Sequence, residues 1–286
     1  MRQQNQSALD PRIYPFRPEL AAKHLQGQVS AQRFVEGTRY TVIEPITAVR
    51  RAPSHEALLD TQALLGESVM VYETTDEGWA WGQLENDGYV GWLSANALGA
   101  PGAAPTHKVA VPRTLGFLGP DIKLPPVTAL PIGALLAIVR QQERFAVTAS
   151  GWHIPAVHLV PIKARQPDFV SVAETLLGAP YLWGGKTSLG VDCSGLVQVA
   201  LQVAGHLCPR DSDMQELALG KSSLLADLRR GDVIFWKGHV AIARDSETIL
   251  HANAHHMAVA IEQTSAAIAR IKAAGSDVNS VRRIKV

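Results

Sequence analysis

The 286-residue sequence predicts a multidomain chain: two small all-β barrels followed by an α+β domain. Three observations carry this. Short apolar runs with strand character, punctuated by Gly, Asn, Asp and Glu, begin near Phe34. A second unit then repeats their order at a period of about 60 residues. After Pro161 the apolar spacing becomes helical and then returns to strands. The length suits two or three domains of about 100–150 residues each. Apolar residues make up 47% and charged residues 19%, so packed cores are expected and disorder is excluded as the main state.

Residues 1–34 read as an N-terminal extension. Pro11, Pro15 and Pro18 interrupt it, and Pro18 to Gln26 reads as a short helix ended by Gly27. Residues 35–100 read as the first barrel. Its strands are Thr41–Ile43, Ala48–Val49, Ser68–Tyr72, Trp79–Leu84 and Gly88–Leu93, with turns at Gly66-Glu67 and Asn86-Asp87-Gly88. The stretch 99–107, GAPGAAPTH, has linker composition. Residues 101–163 read as a second, weaker barrel. Gly91-Trp92-Leu93-Ser94 and the segment to Leu98 correspond to Gly151-Trp152-His153-Ile154 and the segment to Leu159. Residues 164–286 read as the α+β domain. Asp168–Leu177 is helical with Gly178 as its stop, and a second helix follows Cys193 until Gly205. Asp232–Trp236, His239–Ala243 and Thr248–His251 are strands of an antiparallel meander.

Composition excludes several classes. Lys+Arg is 27 and Asp+Glu 26, so no basic surplus marks a nucleic-acid partner. No apolar run approaches the roughly 18 residues of a membrane span. The N-terminal stretch lacks the apolar core of a signal peptide, so a cytoplasmic location is expected. Two cysteines, Cys193 and Cys208, cannot build a disulfide framework.

Cys193 falls in Asp192-Cys193-Ser194-Gly195-Leu196, at the first turn of a predicted helix. Unpaired N–H groups and the helix dipole there favour a thiolate and can hold an oxyanion; a buried structural cysteine is the alternative. His239 opens one strand and His251 ends the next. A hairpin turn centred on Asp245 sets the two imidazoles opposite or diagonal to each other, so one can act as base while the other orients it. His251, His255 and His256 cluster without a nearby Cys or Glu at zinc spacing, so no metal site is expected. Gly184-Gly185-Lys186-Thr187 lacks the first Gly of a phosphate loop and reads as a tight turn.

Several segments together resemble one family, the NlpC-type papain-like cell-wall cysteine peptidases. They are Tyr181-Leu182-Trp183-Gly184-Gly185, Asp192-Cys193-Ser194-Gly195-Leu196, Arg230-Gly231-Asp232-Val233-Ile234-Phe235-Trp236, Gly238-His239-Val240-Ala241-Ile242 and Leu250-His251-Ala252. The resemblance implies Cys193 as nucleophile, His239 as general base, His251 as the orienting third residue and Tyr181 beside the oxyanion site, with no cofactor. Two SH3-like barrels before such a domain, with Asp-Cys-Ser and a downstream Arg-Asp-Ser, resemble the γ-D-glutamyl-L-diamino acid endopeptidases of murein-peptide recycling. That likeness implies that Trp183, Asp192, Ser194, Asp211 and Ser212 shape the substrate pocket, with Asp211 meeting the substrate ammonium. Tyr89 matches a tyrosine that the first SH3-like domain supplies to substrate, and an acid accompanies it: Glu56, Asp60 or Glu67. Asp211 also suits a helix N-cap, and Tyr89 also suits barrel core.

The expected activity is hydrolysis of the γ-D-Glu to diamino-acid amide of a murein tripeptide or tetrapeptide with a free N-terminal L-Ala. A hydrolase of intact peptidoglycan, a non-catalytic wall-binding protein and an acyltransferase are the competing readings. The sequence assigns no role to Cys208 or to residues 1–34.

Overall fold

A computed structural model of the chain describes residues 9–284. It divides into two compact units, Met1–Ala63 with Glu67–Pro101 and Leu64–Gly66 with Gly102–Val286.

The first unit is built on a seven-stranded sheet. Its order is Leu98–Gly99, Thr38–Val42, Ser68–Thr74, Trp79–Leu84, Val90–Ser94, Ile46–Arg50 and Leu59–Leu64. Alternation sets the core: Val69 and Val71 point inward with Val42, Val49, Leu84, Leu93 and Tyr89. The five expected strands are present, with ends shifted by a few residues. Leu59–Leu64 was not legible, because its buried members include Thr61 and Gln62, which hide the apolar period.

The helix expected over Pro18–Gln26 is absent. Phe16–Arg17 and Leu20–Ala22 are strands, Lys23–Leu25 is one 3₁₀ turn, and Arg33–Val35 pairs parallel to Leu20–Ala22. Packing decides this: Leu20, Ala21 and Ala22 are all fully buried, which one face of a helix cannot offer to three successive residues. Leu20 packs against Trp79, Trp81 and Trp92. Val90 N–H donates to the Arg12 carbonyl at 2.8 Å and Gln83 Nε2 to the Ile13 carbonyl at 2.8 Å. The Arg17 guanidinium lies over the Trp81 and Trp92 rings at 4.4 and 4.9 Å. Residues 9–34 are therefore an integral part of the first unit.

In the second unit, His107–Val109 lies between Leu135–Leu136 and Leu159–Pro161. A five-stranded sheet runs Pro126–Pro131, Arg113–Phe117, His153–Pro155, Phe145–Thr148, Ile138–Gln142. The internal repeat is visible at its closing end. Val90–Ser94 leads through a 3₁₀ turn, Ala95–Ala97, into Leu98–Gly99, and His153–Pro155 leads through Ala156–His158 into Leu159–Pro161.

The remainder of the second unit is helical and sheet-forming. Helix α1 is Phe169–Glu174, capped by Asp168, whose carboxylate accepts from Val170 N and Ser171 N. Helix α2 is Cys193–Val203 and α3 is Ser212–Ala218. Six strands, β1 Lys221–Ser223, β2 Asp232–Trp236, β3 His239–Ala243, β4 Thr248–Asn253, β5 Ala258–Gln263 and β6 Val278–Arg283, form one sheet in the order β1-β6-β2-β3-β4-β5. Helix α4, Thr264–Ala273, follows β5 directly. Both faces of the central strands are covered, so β2 reads as a continuous apolar run. Val233 and Phe235 join the core around α1 and α2, and Ile234 and Trp236 join a second core that includes Ala267 of α4. Among the described residues, no helix is long and apolar enough to cross a membrane.

Candidate active site

Asp192 is the N-cap of α2. Its carboxylate accepts from Gly195 N at 2.7 Å and from Gly184 N at 2.7 Å, which ties the Gly-Gly turn to the helix start. Arg210 grips the same carboxylate with two bonds, 2.9 and 2.7 Å, and donates to Ser194 Oγ at 2.8 Å. Its side chain is 1% exposed. Gln215 Nε2 donates to the Ser194 and Pro209 carbonyls, both at 2.9 Å. The backbone on both sides of Cys193 is thus held by buried bonds. Asp192 and Ser194, expected to shape the substrate pocket, turn their polar atoms inward to Arg210 instead. They position Cys193.

The Cys193 thiol is pushed up to about 12, first by burial and next by the Asp192 carboxylate; N–H groups of Val240 and Ser194 act the other way. The expected lowering by the helix N-terminus is overridden, because burial penalises the thiolate more than the dipole favours it. The Val240 bond also brings β3 to the Cys193 thiol, one residue from His239.

The two histidines are diagonal neighbours. β3 and β4 pair Ile242 with Leu250, and extending that register sets His251 two residues along from the position opposite His239. His239 Nε2 and His251 Nδ1 are 2.9 Å apart. Burial is the main cause that lowers His239 to about 3 and His251 to about 4. Asp245 sits in the β3–β4 turn as anticipated, where its carboxylate accepts from Glu247 N and Thr248 N.

The same diagonal continues one strand further. β4 and β5 pair His251 with Ala260 and Ile249 with Glu262. Glu262 Oε2 lies 3.1 Å from His251 Nε2, and Arg270 of α4 donates to both Glu262 oxygens, at 3.1 and 2.6 Å. Sequence reasoning missed Glu262 and Arg270. The available signal was a charged residue at the end of an alternating strand, on the face of the two histidines.

Tyr181 is half-buried. Its hydroxyl is raised to about 12, first by burial and next by the charges of Cys193 and Asp192. Trp183 is 63% exposed. Asp211 and Ser212 start α3 and are half-buried. The capping alternative for Asp211 fails, since its side chain makes no cap hydrogen bond. In the first unit, Tyr89 is 4% exposed and belongs to the core of the seven-stranded sheet. It also lines a pocket of about 430 Å³ with Arg17, Asp60, Trp81 and Trp92. Of the three acids considered, Glu56 is exposed, Asp60 pairs with Arg51 at 2.7 Å and Glu67 is buried. Cys208 is buried and unbridged, its Sγ 3.4 Å from the Pro209 carbonyl.

The sheet brings an acid to the histidine cluster after all. His251, His256 and Glu262 offer ligand atoms within 4.8 Å of one another. Arg270 already neutralises Glu262 at 2.6 Å, and we assign no metal there.

Residues 178–274 match the NlpC/P60 family, and residues 49–98 match the bacterial dipeptidyl-peptidase Sh3 domain. This chain carries an NlpC/P60 domain behind a bacterial SH3 domain. A gamma-D-glutamyl-L-lysine dipeptidyl-peptidase of Bacillus subtilis is 30% identical over 63% of the chain and 64% of its own length. A protein of the same name from Bacillus cereus is 26% identical over 68% and 67%. Dipeptidyl-peptidase 6 of Lysinibacillus sphaericus is 33% identical, but the match covers 36% of the chain and 39% of that protein. The matches thus span less than two thirds of the length of two of these relatives. The crystal structure of an NlpC/P60 family protein from Bacillus cereus superimposes with a TM-score of 0.73 at 19% identity, over 87% of this chain and all of that one. It shares the fold. The chain's two cysteines are Cys193 and Cys208; Cys193 meets the backbone of Val240, the residue after His239.

Proposed function

We propose that this NlpC/P60 protein is a cysteine endopeptidase that hydrolyses the γ-D-Glu to diamino-acid amide of murein peptides with a free N-terminal L-Ala, releasing L-Ala-γ-D-Glu. The observation that carries the reading is Cys193 at the start of α2, joined through Val240 N–H to β3, the strand that presents His239, whose ring meets His251 of β4. His239 takes the thiol proton as Cys193 attacks the amide carbon. The oxyanion forms near Tyr181 and the N-terminal turn of α2. His239 then returns the proton to the leaving amine, and the acyl-enzyme is released by a water that His239 activates. The names of the Bacillus relatives support the γ-D-glutamyl bond and admit lysine as the diamino acid.

Within the NlpC/P60 domain, Asp211, Ser212 and Trp183 are the candidate substrate contacts, with Asp211 facing the ammonium of a murein tripeptide or tetrapeptide. A second SH3-like barrel over residues 101–163 and a role in peptide recycling belong to the same proposal. The test is mass spectrometry of matched peptides, L-Ala-γ-D-Glu-diaminopimelate and its lysine counterpart, each free and N-acetylated. Cleavage of the free peptides alone is the expected result. Equal cleavage of the acetylated forms overturns the free-amine specificity and favours a hydrolase of intact wall. Cys193→Ala is expected to lower kcat by about 1,000-fold or more with its fold retained, and near-normal cleavage by that variant overturns the mechanism.

A further inference from the structure

Proton accounting along the β3–β4–β5 diagonal reaches further than a Cys–His–His set. Glu262 is the fixed end of the accounting. Burial acts to raise its carboxyl, but the Arg270 bonds and charge, together with His251, outweigh this and hold it below the usual value. At neutral pH it is a carboxylate and can only accept. The 3.1 Å contact with His251 Nε2 therefore requires a proton on that nitrogen. His251 is fully buried and neutral, so its Nδ1 holds a lone pair. The 2.9 Å contact with His239 Nε2 then requires the proton on His239 Nε2. His239 is neutral in the resting state, so its one remaining lone pair is on Nδ1. That nitrogen is the one left to receive the Cys193 proton.

The reversed arrangement is equally well hydrogen-bonded between the two rings. With His251 protonated on Nδ1, His239 accepts through Nε2, carries its proton on Nδ1 and has no lone pair for the thiol. Nothing within the histidine pair itself distinguishes the two states. Glu262 breaks the symmetry, because a carboxylate facing an unprotonated Nε2 would set two acceptors against each other.

We propose that Glu262 is a positioning residue that selects the reactive tautomer of His239 through His251, and that Arg270 clamps it in that role. The clamp is bidentate, 3.1 Å from Nε to Oε1 and 2.6 Å from Nη2 to Oε2, so the carboxylate cannot rotate away from His251. Helix α4 exists directly after β5 to return this guanidinium to the strand that carries Glu262. The proposal rests on the reading of Cys193 and His239 as the reacting pair.

Other charges also bear on the imidazoles. Arg270 on α4 disfavours protonation of both rings and Glu262 on β5 favours it; His251 also opposes a charge on His239, and His256 after β4 opposes one on His251. Cys193 and Asp192 stand at the α2 end, with Arg210 neutralising Asp192. Removing Glu262 and removing Arg270 therefore have opposite expected effects on the acid limb of kcat/KM. It moves to lower pH in Glu262→Gln and to higher pH in Arg270→Gln.

The experiment uses full-length protein labelled with ¹⁵N-histidine and read by NMR, beside steady-state kinetics on the free murein tripeptide. In the wild type both His239 and His251 are expected as Nε2–H tautomers. Glu262→Leu is expected to populate the Nδ1–H form of both rings and to lower kcat about 10- to 100-fold, the scale of a lost outer hydrogen-bond partner, with KM within about twofold. Glu262→Gln, which keeps the acceptor and the volume, is expected to retain the tautomers and recover part of kcat. Unchanged ¹⁵N shifts in Glu262→Leu overturn the proposal, as does an acid limb that neither Gln variant moves. A wild type that cleaves no murein peptide overturns the proposed function instead, and the tautomer measurement still decides the role of Glu262.

Discussion

Cys193 and His239 are both buried against their charged forms, the thiol held near 12 and the imidazole near 3. Neither ionises alone at neutral pH, and the transfer becomes favourable only as one event that forms thiolate and imidazolium side by side. Burial therefore keeps Cys193 a neutral thiol at rest. The residues that hold it are themselves charged. Asp192 and Arg210 are 9% and 1% exposed at their side chains, and removal of one leaves the other as an unpaired buried ion. Asp192→Ala is expected to cost about 3–5 kcal/mol, read as a lower midpoint in urea unfolding. Combining it with Arg210→Met should recover part of that loss, because the orphan charge goes with it. A double variant no more stable than Asp192→Ala would show that the cap bonds to Gly195 and Gly184, rather than the ion pair, carry the cost.

At the scale of elements, the start of α2 is a close approach of three backbones. A Cβ on Gly195 would lie 2.2 Å from the Gly185 carbonyl oxygen, and one on Gly185 would lie 2.3 Å from that of Gly190. Both contacts are with backbone, so no side chain can yield. Gly195→Ala is expected to destabilise by about 1–3 kcal/mol and to lower kcat by more than that loss of folded protein explains, since the shift falls two residues from Cys193; activity per folded molecule, after correction by thermal unfolding, checks this. These local features are what made the site legible. Asp192-Cys193-Ser194-Gly195, the Gly-Gly turn and the Asp245 hairpin are set by near neighbours, and β2, β3 and the start of β4 followed from uninterrupted apolar runs. Glu262 and Arg270 were not legible, because their role depends on β5 pairing with β4 and on a helix whose buried residues are only Thr264 and Ala267. The strand Leu59–Leu64 and the strands of the extension were hidden for a related reason: their burial comes from distant tryptophans and partner strands, not from a local period.

For the molecule as a whole, the change of texture near Pro101 coincides with the boundary between the two compact units, and the family matches cover residues 49–98 and 178–274. Its near-neutral charge, 27 basic against 26 acidic residues, means that global acid stability is decided by particular buried groups rather than by net repulsion. Two of those groups dominate. His239 and His251 have folded values near 3 and 4, well below the roughly 6.5 of an unfolded chain. Between those limits the unfolded chain binds more protons than the native one, so stability is present in full above about pH 6.5 and is lost as pH falls. By pH 5 each histidine withdraws about 2 kcal/mol, and His206, lowered first by burial, acts in the same direction. Carboxylates held below their usual values, such as Glu174 and Glu262, add their loss only below about pH 4.5, so the two effects separate. Calorimetry between pH 7.5 and 5 is therefore expected to show the unfolding transition of the NlpC/P60 domain falling by several degrees, at about 2–4 °C per kcal/mol. The fall should be shallower in His251→Gln. A transition flat over that range in the wild type would mean that the two imidazoles are charged in the native state, and the neutral resting pair at the active site would have to be abandoned.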